Sequence, residues 1–339
     1  MADNFWQDTT VRFDISKKNL ALRTGEIIID KLYPVEDTKG NSGDRGTLTV
    51  TNLRLIWCTH QYRRLNLSIG YACILNISKQ NTKSKLYGIS EALSVLAKNG
   101  NTRYEFIFTY LVPGNPRIFV SVTAVFKAYD SSRTYRELKI RHSLLDNNKK
   151  LVLLPREQQY DELDGVWNLT SDQGNLGKFY ITNIRVVWHS TLSQTFNISI
   201  PFLHITSVKT SNSKFGKALV ITTSKKAGSY MLGFRIDPME RLICTEKQLL
   251  SLYQLYHSNP IFGVEVSQEP DHSPPELQDD ETEDAYSEDL PNKRNILEVY
   301  ESEICHGSKN AVYDYDLGLA VEPLPEGYRT KDLWNLFIE

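Results

Sequence analysis

The sequence predicts a mainly β fold: two tandem seven-stranded barrels, each capped by a C-terminal α-helix, followed by an extended C-terminal tail. Three observations carry that expectation. The chain matches itself at a fixed offset, each copy reads as short strands ending in one amphipathic helix, and the sign of the charge reverses near residue 260.

Sliding the chain against itself lays Thr51-Asn52-Leu53-Arg54-Leu55-Ile56-Trp57 over Thr182-Asn183-Ile184-Arg185-Val186-Val187-Trp188, an offset of 131 residues. The same offset superposes Asp30 on Asp161, Leu32 on Leu163, Gly43 on Gly174, Gly46 on Gly177, and Asn66-Leu67-Ser68-Ile69 on Asn197-Ile198-Ser199-Ile200. From residue 26 to residue 77, 14 of 52 ungapped positions are identical. Farther on the offset drops to 126, where Ala92, Tyr104 and Phe108 meet Ala218, Tyr230 and Phe234. Two copies of this length are duplicated domains, since a solenoid needs more and shorter units. The organisation that follows is a first domain at 1–145, a linker at 146–154, a second domain at 155–260, an acidic linker at 261–292 and a tail at 293–339.

Within the first copy, Leu48 and Val50, then Leu53, Leu55 and Trp57, alternate with their neighbours at the period of half-buried strands. Thr51-Asn52 fits a tight turn between them, because Asn tolerates left-handed backbone. Other strands are expected at 27–32, 65–71, 74–79, 93–98 and 104–111, which makes seven. Asn115-Pro116 then supplies an N-cap and a first-turn proline. Ile118, Phe119, Val122, Val125, Phe126 and Tyr129 follow at helical spacing. The second copy closes the same way, with Asp237-Pro238 and then Met239, Leu242, Leu249, Tyr253 and Tyr256. Seven antiparallel strands plugged by one C-terminal helix is the pleckstrin-homology pattern.

Each copy resembles a pleckstrin-homology/GRAM domain, with a Gly-rich approach (Gly43 and Gly46; Gly174 and Gly177), a strand ending Thr-Asn and then Arg-x-x-Trp. The whole chain resembles the Bardet-Biedl syndrome protein 5 family of the BBSome coat. The stretches behind that likeness run in order from residue 30 to residue 320. They include Leu111-Val112-Pro113-Gly114, Gly165-Val166-Trp167-Asn168-Leu169, Ser213-Lys214-Phe215-Gly216, Pro260-Ile261-Phe262-Gly263-Val264 and Leu317-Gly318-Leu319-Ala320. The resemblance implies a subunit of a membrane-recruited coat that moves cargo into and out of cilia. It places the chain at the cilium, ciliary membrane and basal body, among other BBSome subunits, and attributes phosphoinositide binding to the barrels. No lipid motif transfers residue by residue, so a lipid site has to be read from charge.

Charge points to the first copy. Residues 1–260 hold 34 Lys and Arg against 21 Asp and Glu, a net of +13; residues 261–339 hold 5 against 20, a net of −15. In a pleckstrin-homology barrel the loops after the first, third and sixth strands gather at the open end. In the first copy these carry Lys39 and Arg45, then His60, Arg63 and Arg64, then Lys98 and Arg103. The matching loops of the second copy offer only Lys225 and Lys226. Lys39, Arg45, Arg63, Arg64, Lys98 and Arg103 are therefore the expected phosphoinositide-binding set, with Tyr62 as a membrane-touching tip. Asp37 and Asp44 sit beside two of these cations and dilute their field. Arg54 and Arg185, at equivalent strand positions, read as structural. A second reading makes both barrels purely protein-interaction modules.

Other chemistry is poorly supported. Seven scattered histidines and four cysteines without C-x-x-C spacing argue against a metal site and for reduced, cytoplasmic thiols. Cys58 and Arg64 have the C-x5-R spacing of cysteine phosphatases, but the intervening loop lacks glycines and the second copy has His189 in place of Cys58. Neither G-x-S-x-G nor G-x-x-x-x-G-K-[ST] occurs. We expect no enzyme, cofactor, small-molecule substrate or nucleic-acid partner; a nucleic-acid binder would show a recognition helix or an RNP-type segment. The first twelve residues contain no apolar block, and no apolar run spans a bilayer, so contact with membrane is expected to be peripheral.

The last part of the chain reads separately. Residues 265–289 hold 11 acidic residues and no Lys or Arg, the composition of a solvated linker. Beyond it, Leu317 and Leu319 suit a short strand, and Thr330 caps a last helix bearing Leu333, Trp334 and Phe337. So small a motif holds no core of its own. It either folds back on a barrel or docks into another subunit, and these five apolar residues are the expected partner contacts.

Overall fold

The computed structural model describes residues 8–40, 44–60, 65–170, 174–193 and 195–266, together with two short paired strands farther on. The first sheet is built from β1 (Val11–Phe13), β2 (Ile28–Asp37), β3 (Arg45–Thr51), β4 (Arg54–Thr59), β5 (Asn66–Gly70), β6 (Ile74–Ser84), β7 (Gly88–Asn99) and β8 (Thr102–Tyr110), in the order β1-β5-β4-β3-β2-β8-β7-β6. A short helix, α1 (Lys17–Leu20), follows β1, and α2 (Arg117–Ser131) closes the unit. The second sheet repeats the plan with β9 (Lys139–Ile140), β10 (Gln159–Asn168), β11 (Asn175–Thr182), β12 (Arg185–Ser190), β13 (Asn197–Pro201), β14 (Ile205–Ser213), β15 (Gly216–Thr223) and β16 (Met231–Arg235), closed by α3 (Met239–Ser258). Every pairing is antiparallel. Strands β17 (Val312–Asp314) and β18 (Leu319–Val321) pair with each other.

The residues shared by the two copies turn out to be the joints of the barrel wall. Arg54 is fully buried; its Nε reaches Glu26 Oε1 at 2.7 Å and its Nη2 reaches Oε2 at 3.1 Å. Its remaining donors go to Ser68 Oγ and the carbonyls of Leu20 and Ala21, each at 3.1 Å. Arg185 repeats the pattern with Glu157 at 2.8 and 3.0 Å, Ser199 at 3.3 Å and the Val152 carbonyl at 2.9 Å. Trp57 Nε1 donates to Val35 O at 3.0 Å and Trp188 Nε1 to Val166 O at 3.1 Å. Gly46 and Gly177 are required because a Cβ would stand 2.4 Å from Cys58 O or 2.2 Å from His189 O, against the tryptophan ring.

Two local expectations need revising. Asn52 has no left-handed backbone; its Oδ1 accepts the Ile27 N–H at 2.9 Å and its Nδ2 donates to Gly25 O at 3.0 Å, tying the turn to the segment before β2. Neither helix is capped as expected: Pro116 and Pro238 are themselves the N-caps, with Asn115 Oδ1 accepting the Arg117 N–H at 2.9 Å one residue earlier and the Asp237 carboxylate accepting from Arg235 Nε at 2.9 Å.

Each sheet also holds one strand more than the repeat predicts. Asn66 grips the backbone of Ile15, and Asn197 that of His142, through paired amide hydrogen bonds of 2.7–3.0 Å. These clamps hold β1 and β9 at the sheet edges. The stretch read as a linker at 146–154 is built into the second unit: Val152 N–H donates to Leu144 O at 2.9 Å, and Leu144 and Leu151 are buried with Tyr180 and Val187. Residues 139–145, expected within the first domain, enter the second sheet through β9.

The helices cover the barrel ends with most of the expected stripes, although Met239 of α3 is exposed and Leu252, not foreseen, is buried. Ile118, Val122, Val125 and Tyr129 of α2 are buried, as are Leu242, Leu249, Leu252 and Tyr256 of α3. Among the described residues, no helix is long and apolar enough to cross a membrane.

Candidate functional site

Strand parity defines one face of the first barrel. Phe106 and Phe108 point inward and are fully buried, so Arg103 and Glu105 lie on the outer side of β8. Lys98 is the register partner of Arg103, and both are exposed. Neither makes an ion pair among the described residues. Like charges directly across a ladder oppose folding by tenths of a kcal/mol to about 1 kcal/mol. Positive charge is thus concentrated here against the local interest of the sheet.

Two residues along β8, Glu105 is occupied: Lys39 Nζ binds its Oε2 at 2.8 Å. Lys39 therefore stands on the expected face but is partly neutralised. Arg45 opens β3, is exposed, and is the register partner of Glu36, which in turn lies opposite Thr109. Register partners share a side of the pleat, so Arg45 belongs to the same outer side. From Thr109 to Arg103 is six steps of β8, about 20 Å at 3.3 Å per residue. The structure thus brings Lys39, Lys98 and Arg103 together and leaves Arg45 at a distance along the same side. A single head-group pocket cannot span that length; an extended footprint can. Arg63, Arg64 and Tyr62 lie outside the described residues, as do Leu317, Leu333, Trp334 and Phe337. Leu319 falls on β18.

The neighbouring acids and histidine are accounted for. Asp37, read as diluting the field, is fully buried and accepts the Gly40 N–H at 3.3 Å. Partial burial raises the Asp44 carboxyl above its ordinary value, with Lys85 nearby pulling it back. His60, counted among the cations, bonds Thr47 Oγ1 through Nε2 at 2.9 Å and packs its ring on Tyr33 at 4.7 Å.

The second barrel does not repeat this face. Lys226 Nζ donates to Thr9 Oγ1 at 2.9 Å, so the cationic loop at 225–227 meets the N-terminal segment of the first unit. Burial pushes the Cys58 thiol up to about 11, the opposite of what a phosphatase nucleophile needs. Among the described residues no three His, Cys, Asp or Glu side chains converge as a metal site would require.

Fold and face together define a tandem pleckstrin-homology-like protein whose first barrel carries exposed Arg45, Lys98 and Arg103 on its outer side. Family models agree: residues 26–131 match the Bardet-Biedl syndrome 5 protein N-terminal PH-like domain, and residues 139–266 match the second PH-like domain of the same family. Curated relatives named BBSome complex member BBS5 from Danio rerio and Homo sapiens are each 48% identical over 339 residues, covering 98% of both chains. BBSome complex member bbs-5 of Caenorhabditis elegans is 40% identical over 354 residues, covering 99% of this chain and 98% of the relative. The chain belongs to the Bardet-Biedl syndrome 5 protein family.

Proposed function

We propose that the chain is a non-enzymatic subunit of a BBSome-type coat that docks on phosphoinositide-containing membrane through its first barrel and on other coat subunits through its second barrel and tail. Similarity along nearly the whole length to proteins named as BBSome complex members supports the assembly half. Our reading places the chain peripherally at the ciliary membrane and basal body, with a role in ciliary cargo transport and cilium assembly. The lipid half rests on one observation: the exposed, directly opposed Lys98–Arg103 pair on the outer side of the first barrel, with Arg45 along the same side. Each cation near an anionic surface contributes about 1 kcal/mol, so the three together are worth on the order of a hundredfold in affinity.

The test is flotation of the full chain with phosphatidylcholine vesicles that contain or lack a phosphoinositide. We expect Arg45→Ala with Lys98→Ala and Arg103→Ala to lose most of the phosphoinositide-dependent flotation. Unchanged flotation removes the lipid half. The Lys39–Glu105 ion pair, which occupies one of the expected cations, favours the alternative in which both barrels bind only protein; that reading predicts no flotation of the unmodified chain.

A further inference from the structure

The β6–β7 hairpin ends in Lys83-Ser84-Lys85-Leu86-Tyr87-Gly88-Ile89. Leu86 is 39% exposed, Tyr87 48% and Ile89 85%. Ile89 lies on the same side of β7 as the buried core residues Leu93 and Val95, yet it stands in the open because the hairpin here runs past the barrel wall. Three large exposed apolar side chains thus fall within four residues of one hairpin end, where isolated apolar residues would need no explanation.

The turn is held in place. Ser84 Oγ accepts the N–H groups of Leu86 and Tyr87 at 3.1 and 3.0 Å and donates to the carboxylate of Glu36. Glu36, fully buried, also accepts the Lys85 N–H at 3.3 Å. Gly88 has φ 75°, with nothing within 4 Å of where a Cβ would project. The same build recurs in the second barrel, where Ser213 Oγ accepts the Phe215 N–H at 3.1 Å, Gly216 has φ 97° and Phe215 is 41% exposed beside Lys214.

We propose that the β6–β7 tip is a membrane wedge that sinks Leu86, Tyr87 and Ile89 into the head-group boundary of an anionic bilayer while Lys83 and Lys85 reach its phosphates. The proposal rests on the membrane reading above and supplies its apolar half. Three features select a bilayer as the occupant. The tip is a hairpin end at which Leu86, Tyr87 and Ile89 are all exposed. Exposed lysines flank the apolar residues and can extend their ammonium groups along the interface. The tip is fastened to Glu36, the register partner of Arg45, so Lys85 and Arg45 stand at the same end of the barrel, away from Lys98 and Arg103.

The test uses the full chain with Cys244→Ser and Cys305→Ser, and Ile89→Cys carrying an environment-sensitive fluorophore. It is mixed with vesicles of phosphatidylcholine alone or with phosphatidylserine and a phosphoinositide. We expect a blue shift on anionic vesicles, quenched by nitroxide lipids at shallow depth. Leu86→Ser with Tyr87→Ser and Ile89→Ser should weaken vesicle binding by on the order of tenfold or more while the unfolding midpoint holds. Binding without a shift, or full binding by the triple variant, overturns the wedge and leaves the cation reading intact. A shift with binding insensitive to Arg45, Lys98 and Arg103 supports the wedge and removes the cation reading. No binding to any vesicle overturns both.

Discussion

At the residue scale, the informative positions are those that recur at offset 131 and are buried in both copies. A guanidinium taken wholly out of water is tolerable only when its donors are met, and Arg54 meets a carboxylate, a hydroxyl and two carbonyls. Removing one side of such a pair strands the other charge. We therefore expect Arg54→Ala or Glu26→Ala to cost about 3–5 kcal/mol, and Arg185→Ala or Glu157→Ala a similar amount, read from urea midpoints of the full chain. A cost below about 1 kcal/mol would show that water enters and replaces the partner. Gly46→Ala is predicted to destabilise by about 1–3 kcal/mol, because the atoms its methyl would strike are the Cys58 carbonyl and the Trp57 ring, neither of which can move without opening β3 from β4. Gly88→Ala meets no neighbour but is strained by its positive φ, and should cost less.

At the scale of the element, stability and charge pull in opposite directions along β7 and β8. Lys98 and Arg103 face one another with no acid between them, since the nearby Glu105 is engaged by Lys39. Lys98→Ala with Arg103→Ala should leave the unfolding midpoint unchanged or slightly higher, by a few tenths of a kcal/mol, while anionic vesicle binding falls. A clear loss of stability would mean that the pair has a structural role. How far these elements were legible follows from their burial. Strands with one buried side, such as β3 and β8, announce themselves by alternation. The outer half of β6 and the start of β7 are exposed on both sides, so the expected strands at 74–79 and 93–98 stop short of the hairpin that reaches Ser84 and Gly88. The wedge residues lie in that unread stretch. β1 and β9, of three and two residues, are too short to carry a period and are fixed instead by the Asn66 and Asn197 amides. Of the cations expected on this face, spacing in the sequence does not give the separation of Arg45 from Lys98 and Arg103 along β8, which the register shows, and Arg63 and Arg64 lie outside the described residues.

At the scale of the whole molecule, the barrels meet through residues scattered across the chain, which no local pattern foretells. Arg136 lies 3.7 Å over the Tyr129 ring and donates to Ser132 Oγ and to the Phe262 carbonyl, both at 2.9 Å. Tyr129 OH donates to the buried Asp8 at 2.7 Å, and Phe262 and Val264 share one apolar cluster with both barrel cores. From the second barrel, His204 Nε2 meets the Arg136 carbonyl at 2.5 Å and its Nδ1 meets Ser224 Oγ at 3.1 Å. A ring that donates to a carbonyl and accepts from a hydroxyl is neutral. Burial holds its pKa below 6.5, and Lys226 adds to the depression, while the carbonyl and Glu137 oppose it. Burial lowers His189 and His257 in the same direction. Between the folded values and 6.5 the unfolded chain binds more protons than the folded one, so stability rises with pH across that window. The contribution is complete above 6.5 and is lost as the pH falls through the folded values. Asp8, whose carboxyl burial raises, works with the opposite sign. His204→Gln keeps a donor and an acceptor but cannot titrate. Its urea midpoint should therefore fall less on acidification than that of the unmodified chain, with a residual slope from His189 and His257. An unaltered slope would mean that the seam between the barrels admits a charged imidazolium, and that the Arg136 carbonyl is met by water in place of a neutral ring.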